Sequence, residues 1–170
     1  MPSELDRKLE EAYQIVTGDG GQIVVGEVDY HGHSVPIISN APSSLPFYFY
    51  HFCTQHGDTT FLVDGDERLS FNQTYAAAQK VAAALVDGFG IQKGDRVGIA
   101  MRNAPSWIVT FMGVIMAGGC ATLLNGWWQG EELADGIMDT ETRLVLADAQ
   151  RAERLKQSGV DHGAEVVTLD

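Results

Sequence analysis

The sequence predicts an α/β protein: parallel βα layers, preceded by β-hairpins and an N-terminal helix. Three observations carry that expectation. From residue 72 onward apolar strand-like runs alternate with helical periodicity, in the order helix, strand, helix, strand, helix, strand, helix, strand. Such alternation specifies parallel strands with helices on the sheet faces. The long charge-free run between Arg102 and Glu131 is interrupted by Gly118-Gly119 and Asn125-Gly126, which divide it into a buried helix and a buried strand rather than a membrane span. Finally, 170 residues with 45% hydrophobic and 20% charged side chains suffice for a genuine core.

The elements follow in order. Ser3 and Asp6 have capping-box spacing, and Leu5, Leu9, Tyr13 and Val16 then share one helical face up to Gly18. "QIVVGEVDYHGHSVPIIS" reads as a hairpin turning at His31-Gly32-His33. Ile23 and Val25 lie on one parity and Val28 and Tyr30 on the other, so a bulge near Gly26 is expected. "LPFYFYHFCTQHG" predicts a short aromatic helix, and "TTFLVD" and "ERLSF" a second hairpin through Asp64-Gly65. A helix follows around "NQTYAAAQKVAAALVDG", with Tyr75, Ala78, Ala82 and Leu85 on one face and Gly88 at its end. Then come strand "RVGIAM", a helix opened by Asn103 and Pro105, strand "CATLL", helix "GEELADGIMD", strand "RLVLAD", helix "QRAERLKQ" and strand "AEVVTL". The expected division is residues 1–58 for the N-terminal helix, hairpin and aromatic helix, and 59–170 for the α/β portion.

A net charge of −12 excludes nucleic acid and a polybasic membrane contact, since little here would neutralise phosphates. Cys53 and Cys120 suit a reducing, cytoplasmic compartment, and the charged N-terminus lacks the apolar core of a signal peptide.

The chemistry-bearing candidates are sparse. "GFGIQKGDRVGIAMRNAP" places Gly88, Gly90 and Gly94 beside Lys93. A phosphate loop must follow a strand and open a helix. These glycines close a helix and precede a strand, so they read as a C-cap and a tight turn facing the negative helix pole. His31 and His33 flank a turn glycine, while His51 and His56 fall on different helical faces, so neither pair makes a metal shell with Cys53. No serine has a nucleophile-elbow context. Glu131-Glu132 suit a helix N-terminus. The substrate-binding candidates are Trp127 and Trp128, which flank an apolar ligand or cap a core. On the residues alone no catalytic, cofactor-binding or metal-binding set assembles.

The ordered motifs "AAAL" at 82–85, "GIQKGDRV" at 90–97, "RNAP" at 102–105, "AGG" at 117–119, "LLN" at 123–125 and "EEL" at 131–133 give the chain a family likeness. Together with Ser70-Phe71, over about residues 60 to 156, it resembles the N-terminal part of the AMP-forming acyl-CoA synthetases, the adenylate-forming ligases related to firefly luciferase. "LNGWWQGEEL" is most similar to the fatty-acid–CoA ligase branch, and Gly126 stands where many relatives carry proline after the Asn. The resemblance implies the N-terminal subdomain of that fold, with ATP, Mg2+ and coenzyme A as cofactors of the parent ligase and a fatty acid as its substrate. It implies that the family's Ser/Thr-Gly-rich phosphate loop, nucleotide contacts and catalytic lysine lie downstream. These 170 residues are then a fragment, inactive alone, with the remainder of the ligase as partner.

Two alternatives stay open. One is a stand-alone α/β binding or dimerisation module, whose cut sheet would favour a homodimer. The other is a flavodoxin-like or dinucleotide-binding domain, which needs an anion site at a helix start after a strand; residues 102–106 are the candidate, with Arg102, Asn103 and Ser106 near that start.

Overall fold

The computed structural model describes residues 2–169. By internal contacts the chain forms two compact units, Met1–Ser43 and Ser44–Asp170.

The first unit is a helix and a hairpin. Helix α1 (Glu4–Thr17) begins at the expected capping box. The Ser3 hydroxyl accepts the Asp6 amide at 3.2 Å, and the Asp6 carboxylate accepts the Ser3 amide at 2.7 Å. Two orphan amides are thereby satisfied without tertiary help. Strands β1 (Val25–Tyr30) and β2 (His33–Ile38) pair antiparallel from Val25↔Ile38 to Tyr30↔His33. The register is continuous, so the bulge expected near Gly26 is not there. Apolar residues of both parities coexist because both hairpin faces are exposed, Val25 and Val28 alike. The turn is the two-residue pair His31-Gly32, with φ of 52° and 80°. Positive φ at both central positions matches the right-handed twist of the strands.

The second unit begins with aromatic helix α2 (Leu45–His56), capped by Ser44. Strands β3 (Thr60–Asp64) and β4 (Glu67–Ser70) form the predicted second hairpin. The bulge is here, between Thr60 and Leu62, and the displaced Phe61 stacks on Phe71 at 4.3 Å. Helix α3 (Phe71–Ala83) starts on a capping box between Ser70 and Gln73 and ends in a π-helical turn, Ala84–Gly88.

Strands β5 (Arg96–Ala100), β6 (Cys120–Leu123), β7 (Leu144–Asp148) and β8 (Glu165–Leu169) form one parallel sheet in the order β6-β5-β7-β8. Helices α4 (Pro105–Met116), α5 (Gly130–Asp139) and α6 (Ala149–Ser158) are the crossovers. Pro105 occupies the first turn of α4, but the cap position is Ala104 and makes no side-chain bond, so Asn103 does not cap this helix.

Side-chain alternation along the strands sorts the core into two faces. Val97, Ile99, Leu144 and Leu146 join Leu85 and Val114, with Val81, Trp107 and Phe111 packed around them. Ala100, Val145 and Ala147 join Leu133, Ala134, Ile137 and Leu155. Helices α3 and α4 therefore cover one face, and α5 and α6 the other. Cys53, Ala78 and Met112 join α2 to the outer side of α3 and α4. Helices α3 and α4 approach closely at Gly113, where a Cβ would stand 2.6 Å from the Val81 side chain.

Candidate functional site

Sheet order places a crevice. The chain leaves β5 through α4 toward β6 on one side, and leaves β7 through α6 toward β8 on the other. Because α4 and α6 lie on opposite faces, the loops part at the carboxyl ends of the neighbouring strands β5 and β7. That topological switch point is where open α/β sheets bind ligands. A hollow of about 450 Å3 opens there, bordered by Arg102 and Asn103 after β5, Asn125 and Trp127 after β6, and Arg151 and Arg154 of α6. An adjoining hollow of about 300 Å3 reaches Ser106, Asp148 and Leu169.

Each side chain is placed by its loop. The Asn125 side chain accepts the Trp127 amide at 3.0 Å, and the Asn125 carbonyl accepts the Trp128 amide at 3.0 Å. This tight turn follows from the Asn-Gly pair. It sends the two tryptophans apart: Trp127 is 84% exposed at the mouth of the hollow, whereas Trp128 is half-buried among Leu133, Ala134 and Leu155 and lies over Gly136. Gly126 is required by close approach, since a Cβ would stand 2.8 Å from the Met101 carbonyl oxygen.

The Asp148 carboxylate, capping α6, accepts the Arg151 amide at 2.9 Å and the Arg102 amide at 2.8 Å. Arg151 is nearly buried and donates through Nε to the Gly126 carbonyl at 2.8 Å and through Nη1 to Asp148 at 3.2 Å. Arg154 Nη1 donates to the carbonyls of Gly126 and Trp128 at 3.1 and 3.0 Å. Arg102 meets Asp64 at 3.3 Å across exposed surface.

The structure thus brings Arg102, Asn103 and Trp127 to one hollow, leaves Ser106 at its edge, and takes Trp128 into the core. Asp148, Arg151 and Arg154 were not singled out from the sequence. Their signal was available in "DAQRAER", a polar cluster opening a helix immediately after an apolar strand.

The glycine bend sits at the opposite, amino-terminal pole of the sheet and bonds to its own surroundings. Gly90 and Gly94 have φ of 62° and 91°. The Gly94 amide donates to the Gly118 carbonyl at 2.9 Å, and Asp95 accepts the Gln92 amide at 2.9 Å and the Arg143 guanidinium at 2.8 Å. It is a connector.

The histidines lie among aromatic rings: His51 meets Phe52 edge-on at 4.9 Å, and His56 lies 4.7 Å from Phe71. Among the described residues no three His, Cys, Asp or Glu side chains are arranged to hold a metal ion. Both cysteines are free; Cys53 is buried, which pushes its thiol pKa up, and Cys120 is exposed. No helix among the described residues is long and apolar enough to cross a membrane. The Glu132 carboxylate accepts the Gln129 amide at the start of α5 at 2.8 Å, a capping role.

Fold and crevice define a doubly wound α/β unit with ligand-binding topology. The description "AMP-binding enzyme" is that of the family whose profile matches residues 49–170. The chain belongs to this family. It is 28% identical over 134 residues to the medium/long-chain fatty-acid–CoA ligase FadD6 of Mycobacterium tuberculosis, covering 77% of this chain and 22% of that protein. It is 24% identical over 133 residues to 4-coumarate–CoA ligase 1 of Petroselinum crispum, covering 76% and 24%. The N-terminal domain of FACL13 from Mycobacterium tuberculosis superposes with a TM-score of 0.69 at 22% identity, over 75% of this chain and 34% of that one. The chain spans about a quarter of the length of the curated relatives it matches, and its fold is that of the N-terminal part of acyl-CoA synthetases.

The family implies ATP, Mg2+ and coenzyme A. For ATP·Mg2+ the described residues do not fit. The amino terminus of α6 is filled by Asp148, α4 opens with a proline that has no amide to give, and the glycine bend lies at the far pole. No reaction step through ATP is derived for this chain.

Proposed function

We propose that these residues are the N-terminal scaffold of a cytoplasmic fatty-acyl-CoA ligase, and that the chain by itself is catalytically inactive. In the parent, ATP and a fatty acid give acyl-adenylate and pyrophosphate, and the thiol of coenzyme A then takes the acyl group. The observation that carries this reading is the family match over residues 49–170, which contains the whole ordered motif set from Ser70 to Leu133. The likeness to FadD6 supports the fatty-acyl branch. In the assembled ligase the crevice at Arg102, Asn125 and Arg151 is the place for a polar part of a ligand, with Trp127 at its mouth. This portion contributes position and electrostatics, and the reacting groups come from elsewhere.

The test is exchange of labelled pyrophosphate into ATP by the purified chain with Mg2+ and a panel of fatty acids. No exchange above the blank is expected; clear turnover overturns the inactivity. The acyl preference is read on the full parent. Faster adenylation of fatty acids than of 4-coumarate supports the fatty-acyl branch, and the reverse order overturns it.

A second reading, a stand-alone binding or dimerisation module, draws on the exposed Leu123 of edge strand β6 and the open edge at β8. Light scattering decides: a monomer at high concentration counts against it.

A further inference from the structure

We propose that Asp148 is the positioning residue of the crevice, one carboxylate that fixes the loop after β5 directly and the loop after β6 through Arg151. This rests on the reading that the crevice serves a ligand in the assembled ligase, while the geometry is local to this chain. A helix cap needs one acceptor, and Oδ1 supplies it to the Arg151 amide at 2.9 Å. The second oxygen does something a cap does not require. Oδ2 accepts the Arg102 amide at 2.8 Å, across the switch point and 46 residues away in the chain.

Oδ2 also faces Arg151 Nη1 at 3.2 Å, and the Arg151 side chain is only 8% exposed. A guanidinium this far from water needs its carboxylate to stay where it is. Held there, Arg151 Nε donates to the Gly126 carbonyl at 2.8 Å. A Cβ at Gly126 would stand 2.8 Å from the Met101 carbonyl oxygen, so the loops after β5 and β6 pass close together there. Trp127 follows directly and stands in water at the mouth of the hollow. Arg154 adds a second donor to the Gly126 carbonyl, but it has no bond to Asp148 and none to the β5 loop. Asp148 thus bonds directly to the loop after β5 and to the start of α6, and reaches the loop after β6 only through Arg151.

The experiment is amide and indole NMR on the whole chain, with D148S and R151K. In D148S the short hydroxyl still caps α6 but cannot also span to Arg102. The expected result is that α6 amides stay in place, the Arg102 amide exchanges about tenfold faster or more, and the Trp127 indole signal shifts. In R151K the Arg102 amide should stay protected while the Gly126 to Trp128 signals move. If D148S disturbs only α6, or if R151K leaves Gly126 to Trp128 unmoved, the proposal fails and Asp148 is an ordinary cap. Should D148S not fold, D148N decides by the same readouts, because its one acceptor oxygen keeps the α6 cap while its NH2 cannot accept the Arg102 amide: faster Arg102 exchange with α6 amides in place supports the proposal, and an unchanged Arg102 amide overturns it. None of these readouts needs activity, so failure in pyrophosphate exchange or in acyl preference is a separate result.

Discussion

Residues 2–43 and residues 44–169 are held by different forces. In the first segment no residue is buried: α1 and both strands of its hairpin are exposed or half-exposed along their length. Its elements rest on local devices, the Ser3–Asp6 box and the His31-Gly32 turn. In the second segment β5 and β7 are almost wholly buried, and their side chains alternate between two cores. Burial at about 25 cal/mol per Å2 of apolar surface far exceeds what caps contribute. Local signals specify where a helix or turn begins; only burial makes the result cooperative.

Mutations can break or sharpen this contrast. The largest effect is expected from Leu133→Ala, at a fully buried position between α5 and the sheet. The cavity should cost about 3 kcal/mol, read as a lowered urea midpoint of the Ser44–Leu169 unit. Hairpin β1-β2 signals should not follow it, and a shared transition would erase the distinction. Gly113→Ala comes next, because the new Cβ has no room beside Val81. About 2 kcal/mol is expected from the forced separation of α3 and α4, checked by thermal melting.

Caps sharpen the comparison, since the same device occurs in both segments. Ser70→Ala removes the box that starts α3 and should cost about 1 kcal/mol, read as a lowered urea midpoint. Ser3→Ala should reduce α1 helicity by circular dichroism and leave that midpoint unchanged. Acid gives a smaller effect. The Asp6 carboxyl is held below its ordinary value, first by the bond from the Ser3 backbone amide and then by the Ser3 hydroxyl. A depressed native pKa means the contribution is present above the unfolded value and lost as pH falls through the native one. The helicity of α1 should therefore drop at the acid edge below the usual carboxylate range, and Asp6→Asn should blunt that drop. Finally, iodoacetamide should modify exposed Cys120 well before buried Cys53, whose raised thiol pKa leaves less thiolate. Equal rates would show that α2 opens readily from α3 and α4.

Much of the α/β portion was legible because each element repeats its period against a clear boundary. "GEELADGIMD" is α5 residue for residue, and the charge-free run splits at Gly118-Gly119 into α4 and β6, although β6 is an edge strand with Cys120 and Leu123 exposed rather than the buried strand expected. The bulge was misplaced for a physical reason. Mixed apolar parity signals an irregular strand only when one face is buried, and β1-β2 buries neither. The candidate site was half legible. Trp127 and Arg102 stood out as residue types, but a tryptophan pair carries no mark saying which ring enters the core. Arg151 and Arg154 read as an ordinary charged helix face until strand order set that face beside the loops after β5 and β6.

By itself the sequence determined the elements, their alternation and the polarity of the glycine bend, because capping, periodicity and left-handed turns are settled within a few residues. It also carried the family likeness, which is a matter of ordered motifs. Only the tertiary structure decided that Trp127 faces water while Trp128 is packed, that the Met101 carbonyl leaves no room for a Cβ at Gly126, and that Asp148 reaches Arg102. Those outcomes depend on β7 pairing beside β5 rather than β6, and pairing between distant strands is governed by burial of the whole sheet, which no short stretch encodes.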